Sequence, residues 1–183
     1  MATRIVPLAE LSAAQLAEAA QVIRDALAHM PETWDKPGEA EAEIDTFFTD
    51  EDRRGWAALD SDAVVGMIGR VHTHSHTWEL HPLVVDPPHQ HNGIGTKLVA
   101  HLESEAKAAG ILTIWLGLDD TYGGTNLFGR DIFFDVLTSA DTIEEALGHP
   151  FRFYQRLGYV VIGLLPDVNG FGQPDILIGK RIT

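Results

Sequence analysis

The stretch from Trp78 to Thr96, WELHPLVVDPPHQHNGIGT, holds the residues of this chain best suited to chemistry. Glu79 is a carboxylate able to accept a proton, and His81 stands two residues on. Leu80 to Val85 is a short apolar run interrupted by Pro82, which predicts a strand with a kink or bulge. A polar turn from Asp86 to Asn92 follows, and Gly93-Ile94-Gly95-Thr96 then opens an amphipathic run. Glycines at a strand-to-helix turn let backbone N–H groups approach an anion, and a helix N-terminus favours negative charge there. The residues alone therefore predict a phosphate-bearing ligand held by backbone, beside Glu79 and His81.

The glycine turn is neither of two common phosphate loops. No Lys-Ser/Thr pair follows at the P-loop spacing. The third glycine of the dinucleotide fingerprint is missing, and a hairpin series precedes the turn rather than a βαβ unit. A second constellation lies just upstream, where His72, His74 and His76 alternate and so share one face of an extended strand. With Glu79 they fit part of a cupin metal motif, Gly66-x5-His72-x-His74-x4-Glu79. Two imidazoles and a carboxylate suit a divalent metal. The rest of that motif fails: Asp86 stands where it requires glycine, and no second Pro-x-Gly-x2-His segment follows. No metal is expected, and a cupin-like metal enzyme using His72, His74 and Glu79 is the lesser alternative.

The elements that must position these residues follow from periodicity. Thr3 to Leu8 predicts a first strand. Ser12 and Gln15 form a capping box, and Leu16, Ala19, Ile23, Ala26, Leu27 and Met30 recur at helical spacing until Pro31 ends the run. A loop from Glu32 to Gly38 carries Trp34. A second helix, Glu39 to Phe48, has Ile44, Phe47 and Phe48 among its apolar positions and Glu39, Glu41, Glu43 and Asp45 among its polar ones; that acidic run reads as a solvated face, with a substrate-attracting role the lesser alternative. Gly55 to Leu59 and Ala63 to Val71 around Asp60-Ser61-Asp62 predict an antiparallel hairpin. Beyond the glycine turn, Ile94, Leu98, Leu102 and Ala106 lie four apart, and Gly110 ends the helix. Ile111 to Leu118 predicts a central strand covered on both faces. Asp119 to Arg130 is a glycine-rich polar loop, and Ile132 to Leu147 is weakly helical. A short helix, Phe151 to Leu157, stops at Gly158, before closing strands at Tyr159 to Leu165 and Ile176 to Ile182.

Composition bounds the function. The chain has 183 residues, 45% apolar and 22% charged, which predicts one soluble domain spanning 1–183. Thirteen Lys plus Arg against 27 Asp plus Glu give a formal charge of −14, which argues against nucleic acid or an anionic membrane as partner and suits a cationic one. The absence of cysteine excludes disulfides, thiolate metal sites and a cysteine nucleophile. With no leader-like segment and no apolar run near ~18 residues, a cytoplasmic protein is expected.

Gln90-His91-Asn92-Gly93-Ile94-Gly95, placed between a kinked strand and a helix, resembles the acyl-CoA signature Gln/Arg-x-x-Gly-x-Gly/Ala of the GCN5-related N-acetyltransferases (GNAT). The blocks WELHPLVV, GIGTKLV, LGLDD, HPFRFYQRLGY and LLPDVNGFGQPDI together are similar to the aminoglycoside 6′-N-acetyltransferase branch. The resemblance implies an α/β (α+β) GNAT fold, with a mixed, mostly antiparallel central sheet, splayed fourth and fifth strands and flanking helices. It implies acetyl-CoA as cosubstrate and a homodimer. The activity implied is acetyl transfer to a primary amine of an aminoglycoside antibiotic, by direct attack in a ternary complex, conferring resistance. Another small amine or a protein N-terminus is the alternative substrate.

The resemblance also assigns residues. Glu79 matches the family's carboxylate that takes the amine proton. Leu83 supplies the backbone N–H for the thioester carbonyl, and Val84 and Val85 continue along the pantetheine arm. Gln90, His91, Asn92, Gly93, Ile94, Gly95 and Thr96 hold the pyrophosphate, with Asn126 a further cofactor contact. Tyr154 matches the tyrosine placed near the CoA sulfur, while Tyr159 reads as a core aromatic. Trp34, Glu79, His81, Asp86, Asp119 and Asp120 are the expected substrate contacts. Asp119 and Asp120 read equally as turn or cap residues. Tyr122 stands where the branch has an acidic residue.

Overall fold

The computed structural model describes residues 3–30, 34 and 36–183. The chain forms two compact units, Met1–Ile114 with Ile182–Thr183, and Trp115–Arg181. In the first unit β1 (Arg4–Pro7), β2 (Arg53–Asp60), β3 (Ala63–His74) and β4 (Thr77–Val85) pair antiparallel in that order. Three helices pack on them: α1 (Ala13–Leu27), α2 (Glu39–Thr49) and α3 (Ile94–Ala108). The expected capping box starts α1: Gln15 N–H donates to Ser12 Oγ at 3.3 Å, and Ser12 N–H donates to Gln15 Oε1 at 3.1 Å. Pro31, expected to end that run, lies outside the described residues.

Period-two alternation on β3 tells which helix covers which face. Met67 packs in the core cluster with Ala19, Ile23, Ile44 and Phe47 of α1 and α2. Its neighbour Gly66 faces the other way, where an added Cβ would meet Leu98 and Ile94 of α3. The predicted kink at Pro82 is a bulge in β4. Ile68 pairs with Leu83 and Arg70 with Leu80, so His81 and Pro82 together oppose the single residue Gly69. The His81–Pro82 peptide is cis. A Cβ at Gly69 would collide with the His81 carbonyl and the Phe47 ring, so only glycine fits opposite the bulge.

The bulge changes the phase of β4. Val84 pairs with Met67 and Glu79 with Val71, two β3 residues of the same parity. Glu79 and Val84 therefore share the α1/α2 face although they are an odd number of residues apart. Leu83, paired with Ile68, turns to the α3 face.

In the second unit, which takes most of β5 (Thr113–Asp119), β7 (Asp175–Arg181) lies between β5 and β6 (Val160–Leu165) and pairs antiparallel with β6. Residues of β5 alternate between buried (Ile114, Leu116, Leu118) and half-buried, rather than being covered on both faces. The segment 132–147 holds only α4 (Val136–Asp141) instead of a longer helix. Its second half is drawn into pairing with the preceding loop: Asn126 N–H donates to the Glu144 carbonyl, Ala146 N–H donates to that of Gly124, and Thr125 bridges Glu145. Such tertiary hydrogen bonds override a weak helical preference. The last helix, α5 (Phe151–Arg156), ends as expected at Gly158, where φ is +88°.

Candidate active site

The first unit gathers Trp34, Glu79 and His81 on the α1/α2 face of β4. Glu79 and His81 are half-buried, between the buried Trp78, Leu80 and Pro82. Among the described residues the Glu79 carboxylate makes no hydrogen bond or ion pair. That leaves both of its oxygens able to accept a proton or an N–H. The Trp34 ring packs against the core cluster and stands 5.8 Å from the His81 ring, tilted by 41°.

Two residues outside the expected site set complete this face. Glu43 of α2 lies 2.6 Å from an Arg53 guanidinium nitrogen and 3.7 Å from His81 Nε2. Its side chain is only 11% exposed and that of Arg53 14%. The Arg53 guanidinium lies over the Phe47 ring, 5.0 Å from its centre. The acidic run of α2 is thus a solvated face only in part. A signal was there: Glu43 stands three after Ala40 and four before Phe47, on the buried stripe of the helix.

At the end of β4 the chain turns into the N-terminus of α3. Gln90 Nε2 donates to the Val85 carbonyl at 3.0 Å and braces the strand end. His91 (φ +61°) and Gly93 (φ +78°) both take left-handed backbone, and Gly93 is the N-cap of the 15-residue α3. Among the described residues no side chain caps that helix, and its first turn holds no acidic residue. A Cβ at Gly93 would meet nothing within 4 Å. The N–H groups of the first turn have no partner within the helix, so dipole and donors both favour negative charge there. A pyrophosphate fits this arrangement. Asp86 is engaged locally, its Oδ2 2.8 Å from His89 Nδ1.

The second unit holds the other expected residues. Asp120 is 0% exposed, and its carboxylate accepts from Gly124 N–H (2.7 Å), Thr125 N–H (2.9 Å) and Thr125 Oγ1 (2.6 Å). Of its two readings, this geometry supports the turn anchor. Asp119 is exposed, and its Oδ1 accepts from Asn169 Nδ2 at 2.6 Å. The Asn126 amide is committed to backbone: Nδ2 donates to the Thr142 carbonyl and Oδ1 accepts from Glu144 N–H, both at 2.9 Å. Tyr154 is buried, edge-on to Phe153 and Tyr159, and burial pushes its phenol pKa well above the usual value. Tyr159 is buried too, in keeping with a core aromatic.

His149, just ahead of α5, lies outside the expected site set. Phe151 N–H donates to its Nδ1 at 3.3 Å, which makes Nε2 the protonated nitrogen, 3.4 Å from the Asp119 carbonyl. Tyr122 stacks on the ring at 6.0 Å. Burial lowers the His149 pKa, against the opposing pull of the Asp119 carbonyl and the charges of Asp120, Glu145 and Asp119. A histidine held neutral in this way links the end of β5 to the start of α5, which carries Tyr154.

His72, His74 and His76 are exposed. Among the described residues no three His, Asp or Glu side chains converge as a metal centre requires.

A helix N-terminus with unpaired N–H donors, preceded by a strand whose Glu79 has no partner among the described residues, suits a cofactor-dependent group transferase. The sequence profile of the acetyltransferase (GNAT) family matches residues 19–126, and the chain belongs to that family. It is an acetyl-CoA-dependent N-acetyltransferase with the GNAT fold. A crystal structure of an aminoglycoside 6′-N-acetyltransferase complexed with coenzyme A is similar at 34% identity and a TM-score of 0.88, over 98% of this chain and 97% of that one. The aminoglycoside 6′-N-acetyltransferase from Enterococcus faecium is similar at 33% identity and 0.86, with the same coverage. An aminoglycoside 6′-acetyltransferase type Ii is similar at 29% and 0.71, over 100% of this chain and 98% of that one. A search of curated proteins gave no match.

Proposed function

We propose that this chain acetylates the 6′ primary amine of aminoglycosides, by direct attack with both substrates bound. The observation that carries the chemistry is strand β4, where an unpaired carboxylate, a bulge and a glycine-opened helix follow one another. Whole-length likeness to two aminoglycoside 6′-N-acetyltransferases supports the substrate class.

Acetyl-CoA, when bound, supplies the acetyl carbon as a thioester, so that a C–N bond to the amine forms as the C–S bond breaks. Glu79 takes the proton that the amine nitrogen must lose, directly or through water. The Leu83 N–H, next to the bulge, donates to the carbonyl oxygen as negative charge develops there. Val84 and Val85 offer backbone groups to the pantetheine arm, and Gln90 to Thr96 hold the pyrophosphate against α3. Tyr154, protonated throughout the working pH range because it is buried, hands its proton to the departing sulfur. Asn126, whose side-chain amide is held by Thr142 and Glu144, is a further cofactor contact by resemblance.

Trp34 and His81 flank the sugar ring, and Asp86 and Asp119 meet further ammonium groups of the polycation. Asp120 serves the substrate through the turn it anchors. The charge of −14 favours encounter with such a substrate. No helix among the described residues is long and apolar enough to cross a membrane, and a cytoplasmic resistance enzyme fits the proposed reaction. Phe133, Phe134, Leu137, Leu147 and Phe171 expose apolar surface on the second unit, which supports a homodimer.

An acetyl-CoA turnover assay over aminoglycosides, polyamines and N-terminal peptides tests the reading. Aminoglycosides should react, with acetylation at the 6′ position. Activity confined to peptides or polyamines would overturn it.

A further inference from the structure

Glu43 has no part in the mechanism above, yet it sits where the amine is expected. It lies on the buried stripe of α2 and touches two cations or potential cations through one oxygen. Oε1 is 2.6 Å from Arg53 and 3.7 Å from His81 Nε2. The Arg53 guanidinium in turn rests over Phe47, whose ring fills the space opposite the β4 bulge. On another flank of the His81 imidazole stands Trp34, at 5.8 Å.

A buried ion pair is a poor way to gain stability, because desolvation offsets most of the attraction. Nor does Glu43 draw in a polycation by its charge, since Arg53 neutralises it at contact distance. What the pair provides is a fixed direction. Arg53 pins the carboxylate, and the carboxylate favours the His81 tautomer and ring angle that turn Nε2–H toward it. At 3.7 Å the contact is longer than a hydrogen bond. Its effect is therefore orientational, shared with the Trp34 ring.

We propose that Glu43, anchored by Arg53, is a positioning residue that sets the His81 imidazole against Trp34 and thereby determines affinity for the amino-sugar substrate. The inference rests on the reading that His81 borders the amine.

The test is a double-mutant cycle between Glu43→Gln and His81→Ala, read as kcat and KM for the amine and, separately, KM for acetyl-CoA. With the wild-type His81, Glu43→Gln should raise the amine KM about tenfold, since small misplacements of a substrate-positioning group carry costs of this order. The acetyl-CoA KM should stay the same. In the His81→Ala background the same substitution should have almost no further effect, because the group it acts through is gone. An unchanged amine KM overturns the inference, as does an equal loss in both backgrounds or a parallel rise in the acetyl-CoA KM. Should Glu43→Gln alone fold poorly by leaving Arg53 uncompensated, Glu43→Gln with Arg53→Met removes both charges, and the cycle is run on that pair with the same criteria. A wild type active on the amine with an additive cycle refutes only this inference. A wild type inert on every amine refutes the functional reading and this inference with it.

Discussion

Replacing Asp120 with alanine separates a scaffold carboxylate from a substrate ligand. The side chain is wholly buried and accepts three hydrogen bonds, two of them from backbone N–H groups of the loop after β5. Alanine would leave these two amides and the Thr125 hydroxyl without an acceptor. Each unsatisfied buried donor costs about 1–3 kcal/mol, and relaxation or an entering water recovers part of that. A net loss of about 3–5 kcal/mol is expected, a large share of the ~5–15 kcal/mol that holds a domain folded. For a chain of this length it corresponds to roughly 10 °C in Tm. Asp120→Asn keeps the shape and one acceptor oxygen, so it should lose about half as much. Urea unfolding of the three proteins, with turnover measured on the folded fraction, gives the answer. A loss below ~1 kcal/mol joined to a raised amine KM would refute the reasoning and make Asp120 a substrate contact.

Further predictions concern two ionisable groups in the second unit. Tyr154→Phe should lower kcat on the order of a hundredfold while leaving acetyl-CoA binding intact, as loss of a proton donor does. In the wild type no fall in rate from tyrosine ionisation should occur up to pH 10, because burial raises the phenol pKa above that of an exposed tyrosine. His149 has its folded pKa lowered by burial, so the unfolded chain binds more protons once the pH drops below about 6.5. The stability it contributes is present above that pH and is lost as pH falls through the folded pKa. Unfolding free energies of wild type and His149→Asn from pH 7.5 to 5 should therefore converge toward the acid end. A constant difference would contradict a neutral buried His149.

The parts of the fold legible in the sequence are those decided locally. Ser12 and Gln15 cap α1 wherever that helix packs, Pro82 disrupts a strand whatever its neighbour, and a glycine at position 93 opens a helix with no side-chain cap. The turn from Gln90 to Gly93 was legible for the same reason, since its left-handed backbone is set by adjacent residues. What was not legible depends on partners far along the chain. The stretch 142–147 abandons helix to pair with Gly124 to Asn126. Glu43 looks solvated among Glu39, Glu41 and Asp45 until Arg53 and His81 are brought beside it. The phase shift at the bulge, which places Glu79 and Val84 on one face, needs the register of β3 to be seen. His149 next to Pro150 carries no local mark of the bonds it makes to Asp119 and Phe151.

The central claim is that the carboxylate on β4 receives the amine proton while the turn after it holds the cofactor. Glu79→Gln changes the proton acceptor and little else. Its acetyl-transfer rate with saturating acetyl-CoA, measured beside the acetyl-CoA dissociation constant, tests both halves at once. The account predicts a fall in kcat on the order of a hundredfold with cofactor affinity unchanged. An unchanged rate, or a lost cofactor affinity that explains the whole fall, would contradict it.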